Sequence, residues 1–301
     1  MFVPGFSTPS SERRKLWRRK GGGGGGRGGG GSGRSGGSGG SSRGRSAGTI
    51  SSGGSSKGVS TGSQGTRSVS TIPAGQPFSG RSEGGGTRGD IYGNRQVLSY
   101  GSGYPGIAGK GTVGRGFPFF FWPLAFGTAG LGGAYHYHSD YGRADNSSRP
   151  GGTQQTTAFI STSPETTFRL LSDETTVKSL VESVKENCGS SLANKDSISL
   201  AAYRGADQDP PQPPQIVQYY RSSSIALALD GYNNTASFSD DENAENSPLP
   251  SNINTDLLDC LNATIGEEAP LVDAALSMAS APSQLALLTL VGFVFAVSGI
   301  F

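Results

Sequence analysis

This sequence contains few of the residues from which active sites are usually built. Only two cysteines, Cys188 and Cys260, and two histidines, His136 and His138, occur in 301 residues. A zinc finger or ribbon made of cysteines alone is therefore excluded, because it needs more ligands at closer spacing. No nucleophile, base and orienting group are placed together along the chain, so we expect a protein that is not an enzyme and holds no cofactor.

Acidic residues are scarce in the first third of the chain and concentrated in the rest. Residues 1–115 contain 17 Lys and Arg against Glu12, Glu83 and Asp90, whereas residues 116–301 contain 8 basic and 20 acidic residues. A basic arm on an acidic body predicts one of two behaviours. The arm binds polyanions such as cell-wall glycans, phospholipid or nucleic acid, or it folds back on the acidic half of its own chain by long-range attraction.

Glycine accounts for 50 of the 301 residues and is densest in residues 21–40. Such a tract has almost no apolar surface to offset its conformational entropy. We therefore expect residues 21–115 to be a disordered Gly/Ser/Arg-rich region, which makes the N-terminal half mostly disordered. Tyr92, Tyr100 and Tyr104, spaced by Gly and Arg, resemble the adhesive aromatic residues of low-complexity chains.

Residues 1–20 form a basic leader without the apolar stretch of a signal peptide. Arg-Arg-Lys occurs at residues 13–15 and 18–20, where paired basic residues at the edge of a disordered segment suit a processing site. Two interpretations remain open. Either an apolar leader belongs upstream of Met1, or the chain stays in the cytosol as a tail-anchored protein.

The most apolar run, LALLTLVGFVFAVSGIF, lies at residues 285–301. Seventeen residues are at the short limit for crossing about 30 Å of hydrocarbon. No basic residue follows the run, and small residues at 273–275 with a polar spacer precede it, as in a GPI-attachment signal. Asp273 is the candidate attachment residue, and a retained hydrophobic transmembrane helix is the alternative. Either one predicts a membrane location, at the cell surface or in the secretory pathway.

A second uncharged segment, residues 116–135, contains five phenylalanines and Trp122. Its length suits a membrane span, but Pro118, Pro123 and several glycines make a poor helix. The alternatives are a span or interfacial segment, and a hydrophobic strip that packs on the folded domain or forms an assembly surface.

Residues 135–141, YHYHSDY, place His136, His138 and Asp140 in alternation. On a strand these three side chains would share one face and could bind zinc or copper. Short exposed motifs of this kind rarely hold a metal, so we expect no metal centre here.

Three sequons and two cysteines indicate whether the acidic half of the chain lies in the lumen or in the cytosol. Asn146, Asn233 and Asn262 each begin an Asn-x-Ser/Thr triplet, which predicts N-glycosylation if this half is lumenal. Cys188 and Cys260 would form one disulfide in an oxidising compartment. In a cytosolic protein they would instead be two free buried thiols.

Residues 155–270 have the periodicity of a small α+β domain. Two short strands flank Pro164, and two more are expected at residues 216–221 and 224–232. Residues 172–189 predict an amphipathic helix with Ser172 as N-cap and Gly189 as its left-handed C-terminal residue, and residues 254–266 predict a second helix. The predicted apolar stripes are Val177, Leu180, Val181 and Val184 in the first helix, and Leu257, Leu258 and Leu261 in the second. The prediction is a short antiparallel sheet with two helices, joined by the two cysteines.

The order of several motifs is distinctive: RRKGGGGGG, IYGNR, YGSGYPGIAGKGTVGRGFPFFFWPLAFG, NSSRPGG, TTFRLLSDETTVKSL and VQYYRSSSIALALDGYNNT, followed by the hydrophobic tail. In this order they resemble an uncharacterised family of secretory and membrane proteins from mushroom-forming (agaricomycete) fungi, over nearly the whole chain. The resemblance implies a secretory route with a leading signal peptide, from which the first twenty residues depart. It implies no activity, ligand or catalytic residue.

These features together predict a non-enzymatic, membrane-anchored glycoprotein of the cell surface, with a flexible cationic arm that contacts polyanions or wall glycans. The first alternative is a nucleic-acid-associated protein whose Arg/Gly-rich arm binds RNA. Clean RGG repeats are missing, and a soluble RNA-binding protein has no use for the hydrophobic tail, so we expect no nucleic-acid partner. The second alternative is a tail-anchored protein that faces the cytosol.

Overall fold

The structure, a computed structural model, describes residues 44–65, 68–93, 114–126, 142–206, 209–238 and 244–273. The basic leader at residues 1–20, the motif at residues 135–141 and the hydrophobic tail at residues 285–301 lie outside the described residues. What the sequence predicts for them therefore stays a prediction.

The described residues form ten strands and two α-helices. The strands are β1 (Ser46–Ser52), β2 (Ser55–Ser60), β3 (Val69–Thr71), β4 (Ser82–Gly84), β5 (Gln154–Ile160), β6 (Thr167–Asp173), β7 (Leu200–Ala202), β8 (Ile216–Tyr220), β9 (Ile225–Leu229) and β10 (Leu271–Val272). The helices are α1 (Glu174–Asn187) and α2 (Thr255–Glu268). The predicted α+β class, with antiparallel strands and two helices, is confirmed.

The largest sheet has five antiparallel strands in the order β7-β5-β6-β9-β8. Its central strands carry apolar side chains on both faces. Leu170 and Leu227 belong to the cluster that includes the helices, whereas Leu171 and Ala226 belong to a second cluster on the opposite face. Because consecutive residues of a strand point to opposite faces, this pattern shows that both faces of the sheet are covered.

Two smaller sheets come from the region between residues 44 and 93 and from the end of the domain. Strand β2 lies between β1 and β10 in an antiparallel three-stranded sheet, and β3 pairs with β4. The turn from β1 to β2 consists of Gly53 and Gly54, both with positive φ. A two-residue hairpin turn favours this conformation, which glycine adopts without steric cost.

Both helices are capped by the side chain of the residue before them. Asp173 accepts a hydrogen bond from the backbone N–H of Thr176, at 3.0 Å, and Asn254 accepts one from that of Leu257, at 2.7 Å. The predicted cap at Ser172 is wrong by one residue, because the helix begins at Glu174 and the preceding residue, Asp173, caps it. These caps satisfy backbone donors that a helix leaves without partners in its first turn.

The predicted apolar stripes of both helices are confirmed as buried. All seven residues belong to the main hydrophobic cluster, with Phe159, Phe168 and Leu227 of the sheet. The predicted left-handed conformation of Gly189 is wrong, since Gly189 instead begins a 3-10 turn, Gly189–Ser191. A second 3-10 turn, Lys195–Ser197, follows before the chain enters β7.

The prediction that residues 21–115 are disordered is wrong for residues 44–65 and 68–93. These residues form four strands, and Ile50, Val59 and Ile91 are buried in the main cluster. Single apolar residues separated by Gly and Ser gave no continuous periodicity, but they suffice for short strands that pack on an existing core. The folded unit therefore begins well before residue 155.

The aromatic segment, residues 117–126, is buried against the domain, as one of the two alternatives predicted. Phe119, Phe120 and Phe121 join the main cluster, Leu124 and Phe126 join the second, and Phe117 and Trp122 form a third with Ile72. This segment contributes side chains to all three hydrophobic clusters. Within the described part of the chain, no helix is both long and apolar enough to cross a membrane.

The burial of the aromatic segment predicts a large stability effect at Leu124, which is 0% exposed. We expect Leu124→Ala to lower the free energy of unfolding by about 2–5 kcal/mol, through lost apolar burial and the cavity left behind. The midpoint of urea unfolding of the full-length chain, followed by tryptophan fluorescence, measures this loss.

The matched control for this substitution is Val69→Ala, because Val69 is 59% exposed. It should change the free energy of unfolding by no more than about 0.5 kcal/mol. Equal unfolding midpoints for the two variants would show that residues 117–126 are not part of the core.

Candidate functional site

The loop between β8 and β9 has an unusual backbone for its composition. Arg221, Ser222 and Ser223 have φ values of 49°, 48° and 60°, in the left-handed region. Each such non-glycine residue costs on the order of 1–2 kcal/mol. The loop is held from both sides: the N–H of Arg221 donates to the carbonyl of Ile91 at 2.7 Å, and the N–H of Leu124 donates to that of Ser223 at 2.8 Å.

This loop carries Arg221 into the interior, where its side chain is 0% exposed. Its Nη2 donates to Oδ2 of Asp173 at 2.6 Å, and its Nη1 donates to Oγ1 of Thr176 at 2.9 Å and to the carbonyl of Pro270 at 2.8 Å. Its Nε donates to Oγ of Ser224 at 2.7 Å. Every nitrogen of the guanidinium therefore has a partner, as a buried charge requires.

The guanidinium also lies over an aromatic ring of the buried segment. The carbon atom between its nitrogens is 3.4 Å from the centroid of the Phe121 ring. Burial lowers the pKa of Arg221 to about 10, while the charge of Asp173 and its hydrogen bond oppose this shift. At neutral pH the side chain is therefore a cation, attracted both by the carboxylate and by the face of the ring.

This cluster, the Arg221 network, joins three parts of the chain that are far apart in sequence. It contacts the aromatic segment through Phe121, the start of α1 through Asp173 and Thr176, and the residue before β10, Pro270. Because its donors are already engaged inside the protein, the arginine is unsuited to binding an anionic substrate. Its role is to hold these segments together.

The described residues end at Asp273, one residue after β10. In β10, Leu271 pairs with Ser60 and Val272 with Val59. The next residue, Asp273, donates its N–H to the carbonyl of Gly58 at 3.0 Å, and its Oδ1 accepts a hydrogen bond from Oγ of Ser60. The candidate GPI-attachment residue is thus fixed to the three-stranded sheet by its backbone and its side chain.

The predicted disulfide is confirmed. The sulfur atoms of Cys188 and Cys260 are 2.02 Å apart and join residues separated by 72 positions. Cys188 directly follows α1, and Cys260 lies within α2. The bond therefore links the end of one helix to the second turn of the other.

The three predicted glycosylation sites differ in accessibility. Asn233 is exposed in the loop after β9. Asn146 is half-buried in a turn, where its Oδ1 accepts a hydrogen bond from the N–H of Ser148. Asn262 lies on α2, its Oδ1 accepts from the Tyr220 hydroxyl, and Thr264 of its sequon is buried. Asn233 is therefore the sequon most open to a glycan on the folded protein.

One groove contains Arg45, the first basic residue of the described part of the chain. It lies between β1 and α1, has a volume of about 600 Å³, and is lined in part by Arg45, Lys178 and Glu182. Nη2 of Arg45 donates to the Ser179 carbonyl at 3.0 Å and to Oγ of Ser183 at 2.9 Å. Arg45 is therefore engaged with α1, and the mixed charge of the groove does not select for anions.

Arg88 is a second arginine at the edge of the core. Its Nη1 donates to the Gly266 carbonyl at 3.2 Å and its Nε to that of Ser63 at 3.3 Å. Burial lowers its pKa to about 10, while the charge of Glu268 opposes the shift. These bonds fasten the segment after β4 to the end of α2.

Metal ligands do not converge within the described ranges. No group of three or more His, Cys, Asp or Glu side chains lies close enough there to hold an ion. The candidates His136, His138 and Asp140 lie outside the described residues.

The sequence analysis missed the Arg221 network, although one sign of it was present. The loop Arg221–Ser224 joins two buried strands without the Gly, Asn or Asp that tight hairpins favour. A charged residue placed between two apolar strands indicates either a surface turn or a buried partner. Nothing in the sequence distinguishes these, because Asp173 lies 48 positions away.

The buried ion pair predicts a strong dependence of stability on Arg221. We expect Arg221→Met to lower the free energy of unfolding by about 3–5 kcal/mol, because Asp173 keeps its buried charge without its partner. The exposed Arg143, bonded to Asp145, is the matched control, and Arg143→Met should leave the unfolding midpoint unchanged.

A double variant separates the two causes of this loss of stability, which are the unpaired charge of Asp173 and the lost packing of the Arg221 side chain. Asp173→Asn keeps an N-cap side chain but removes the carboxylate. We expect Arg221→Met combined with Asp173→Asn to be more stable than Arg221→Met alone. Additive losses in this double-mutant cycle would contradict a direct interaction between the two side chains.

The disulfide predicts a loss of stability on reduction. For a loop closed over 72 positions, the chain-entropy model gives roughly 4 kcal/mol. We expect dithiothreitol to lower the thermal midpoint of the wild-type chain to that of a Cys188→Ala/Cys260→Ala variant. A midpoint unaffected by the reductant would mean that the bond is absent in the isolated protein.

Comparison with protein-family models, with curated proteins and with solved structures finds no match for this chain. The similarity to proteins of mushroom-forming fungi thus remains a resemblance of motifs. No residue role is transferred from it, and the function is argued from the residues themselves.

Proposed function

We propose that this protein is a non-enzymatic glycoprotein of the cell surface. A disulfide-bonded domain is held at a membrane by the chain beyond Asp273, and a cationic arm precedes the domain in sequence. The domain serves as a display and attachment unit. Its partners are the membrane and, through the arm, polyanionic or wall glycans.

The disulfide is the observation that carries this proposal. Disulfides form and persist in secreted and extracellular proteins, and they are rare in the cytosol. Cys188 and Cys260 are bonded inside the folded domain, and Cys188 is buried. A bond in this position supports a secretory route and argues against both the cytosolic and the RNA-binding alternatives.

The end of the fold suits an attachment to a membrane. Asp273 is fixed to the edge of the three-stranded sheet, and eleven residues separate it from the apolar run at 285–301. If the run is a retained helix, these eleven residues are a short linker. If a lipid replaces the tail at Asp273, the anchor begins directly at the sheet. In both cases the domain stays within about 40 Å of the bilayer, the extended length of eleven residues.

The arm adds a diffuse electrostatic contact. Nine Lys and Arg lie between residues 13 and 43, among Gly and Ser and before the first strand. Attraction of such a segment to a polyanion needs no defined pocket and weakens as salt rises.

The proposal predicts the behaviour of the full-length protein in its native cells. We expect it in the membrane pellet after high-speed centrifugation, with a size drop on treatment with an N-glycosidase. Release into the supernatant by a phosphatidylinositol-specific phospholipase would identify a lipid at Asp273, whereas extraction by detergent alone would identify a retained helix.

The control for the size drop is a pair of substitutions. Asn233→Gln should remove one glycan, while Asn252→Gln, at an exposed asparagine outside any sequon, should leave the size unchanged. A protein that is wholly soluble, unglycosylated and carries two free thiols would overturn the proposal.

A further inference from the structure

A small cavity lies where three turns meet beside the aromatic segment. Its volume is about 250 Å³. The β1–β2 turn with Gly54, the turn with Gln76, and the turn with Ser148 surround it, and Trp122 and Ile72 line it as well. Because Trp122 and Ile72 are buried while Gly54 and Ser148 are exposed, the apolar residues lie at the bottom and the polar ones at the mouth.

The chemistry of this cavity is neutral. Of the described residues that line it, none carries an ionisable side chain. The nearby carboxylate of Glu83 is already paired, since its oxygens accept hydrogen bonds from Ser52 and from Nζ of Lys57, each at 2.8 Å. The guanidinium of Arg149 lies 5.6 Å from the centroid of the Trp122 ring and is also engaged, since its Nη2 donates to the carbonyls of Trp122 and Pro123. The lining residues themselves offer no countercharge, so desolvating a charged ligand here would be costly.

Polar side chains at the mouth are available to a ligand. Within the described part of the chain, no hydrogen bond engages the hydroxyls of Ser51 and Ser148 or the side-chain amide of Gln76. Hydroxyl and amide groups each donate and accept hydrogen bonds. They therefore match a ligand that has many hydroxyls, such as a sugar.

Size and shape favour a single sugar ring. A volume of about 250 Å³ equals that of about eight water molecules and is below the range of about 300–1,000 Å³ for drug-sized ligands. Trp122 is 8% exposed, and its ring also contacts Phe78 and Arg149. The part of Trp122 that remains open and Ile72 give the bottom an apolar surface for the C–H groups of a pyranose, while the mouth supplies hydrogen bonds. We propose that this cavity binds one neutral pyranose unit.

The position of Gly54 is part of this site. Its φ is +79°, and a Cβ built on it would lie 3.2 Å from Nε2 of Gln76. Glycine thus allows the hairpin turn and the Gln76 amide to approach each other closely at the mouth. The cavity therefore depends on the same turn that sets the register of β1 and β2.

Two sources could supply such a sugar, and both have the same chemistry. One is a glycan outside the protein, such as the cell wall. The other is the protein's own glycan at Asn146, whose sequon contains Ser148 of the mouth. Sugar binding in this cavity does not require membrane attachment. It can therefore be tested independently of the proposed function at the cell surface.

Tryptophan fluorescence tests this proposal. The probe is the full-length chain with Trp17→Phe, which leaves Trp122 as its only tryptophan. It is kept in dodecylphosphocholine, because detergents with sugar headgroups would compete. Methyl β-glucopyranoside, methyl α-mannopyranoside and N-acetylglucosamine are titrated to about 100 mM, a hundred times a Kd of about 1 mM. We expect at least one of them to change the Trp122 emission saturably.

Matched glutamine variants identify the site. Gln76→Ala should raise the Kd by about 3- to 10-fold, the loss of one neutral hydrogen bond. Gln64→Ala, at an exposed glutamine outside the cavity, should leave the Kd unchanged. Equal affinities in these two variants would overturn the proposal even if a sugar binds elsewhere.

The source of the sugar is resolved by Asn146→Gln, which removes the sequon but keeps Ser148. A response in both glycosylated wild type and Asn146→Gln indicates an external glycan. A response only in Asn146→Gln indicates that the protein's own glycan fills the cavity. No saturable response to any of the three sugars in either protein overturns the proposal.

Discussion

The buried guanidinium of Arg221 is the interaction on which the rest of this structure depends. A cation in the interior must be neutralised, and Asp173 does so from the start of α1. Its remaining donors bind Thr176, Ser224 and the carbonyl that precedes β10, and Phe121 covers its face. Each of these partners therefore has to be in place before the arginine can be buried, so the network favours one arrangement of the hairpin, the helix and the aromatic segment.

The sequence was sufficient to predict the part of the fold that carries regular periodicity. Strands β5, β6, β8 and β9 and both helices follow from spacing and composition. The bond between Cys188 and Cys260 was expected only for an oxidising compartment, with two free thiols as the alternative. Strands β1 to β4 did not, because their apolar residues are isolated among Gly and Ser and gain burial only from contacts with distant segments. A prediction from local propensity therefore placed the start of the folded region too late in the chain.

Sites that depend on distant contacts could not be predicted from the sequence. The aromatic segment was ambiguous because a membrane and a protein core favour the same residues, and only the packing of Phe121 and Leu124 distinguishes them. The cavity at Trp122 joins three turns that have no common motif. Each of these side chains is ordinary for a turn or a strand, and they form a candidate binding site only because the fold brings them together.

The arrangement of the three-stranded sheet determines how this domain would respond to mechanical load. The chain enters β1 where Ser46 faces Ser60, and it leaves β10 where Val272 faces Val59 on the other side of the same strand. Strands β1 and β10 run in the same direction, so opposed pulling on the preceding arm and the following tail would shear both against β2. If the arm and the tail are attached as proposed, force between them would pass through these ladders, and the five-stranded sheet would carry little of it.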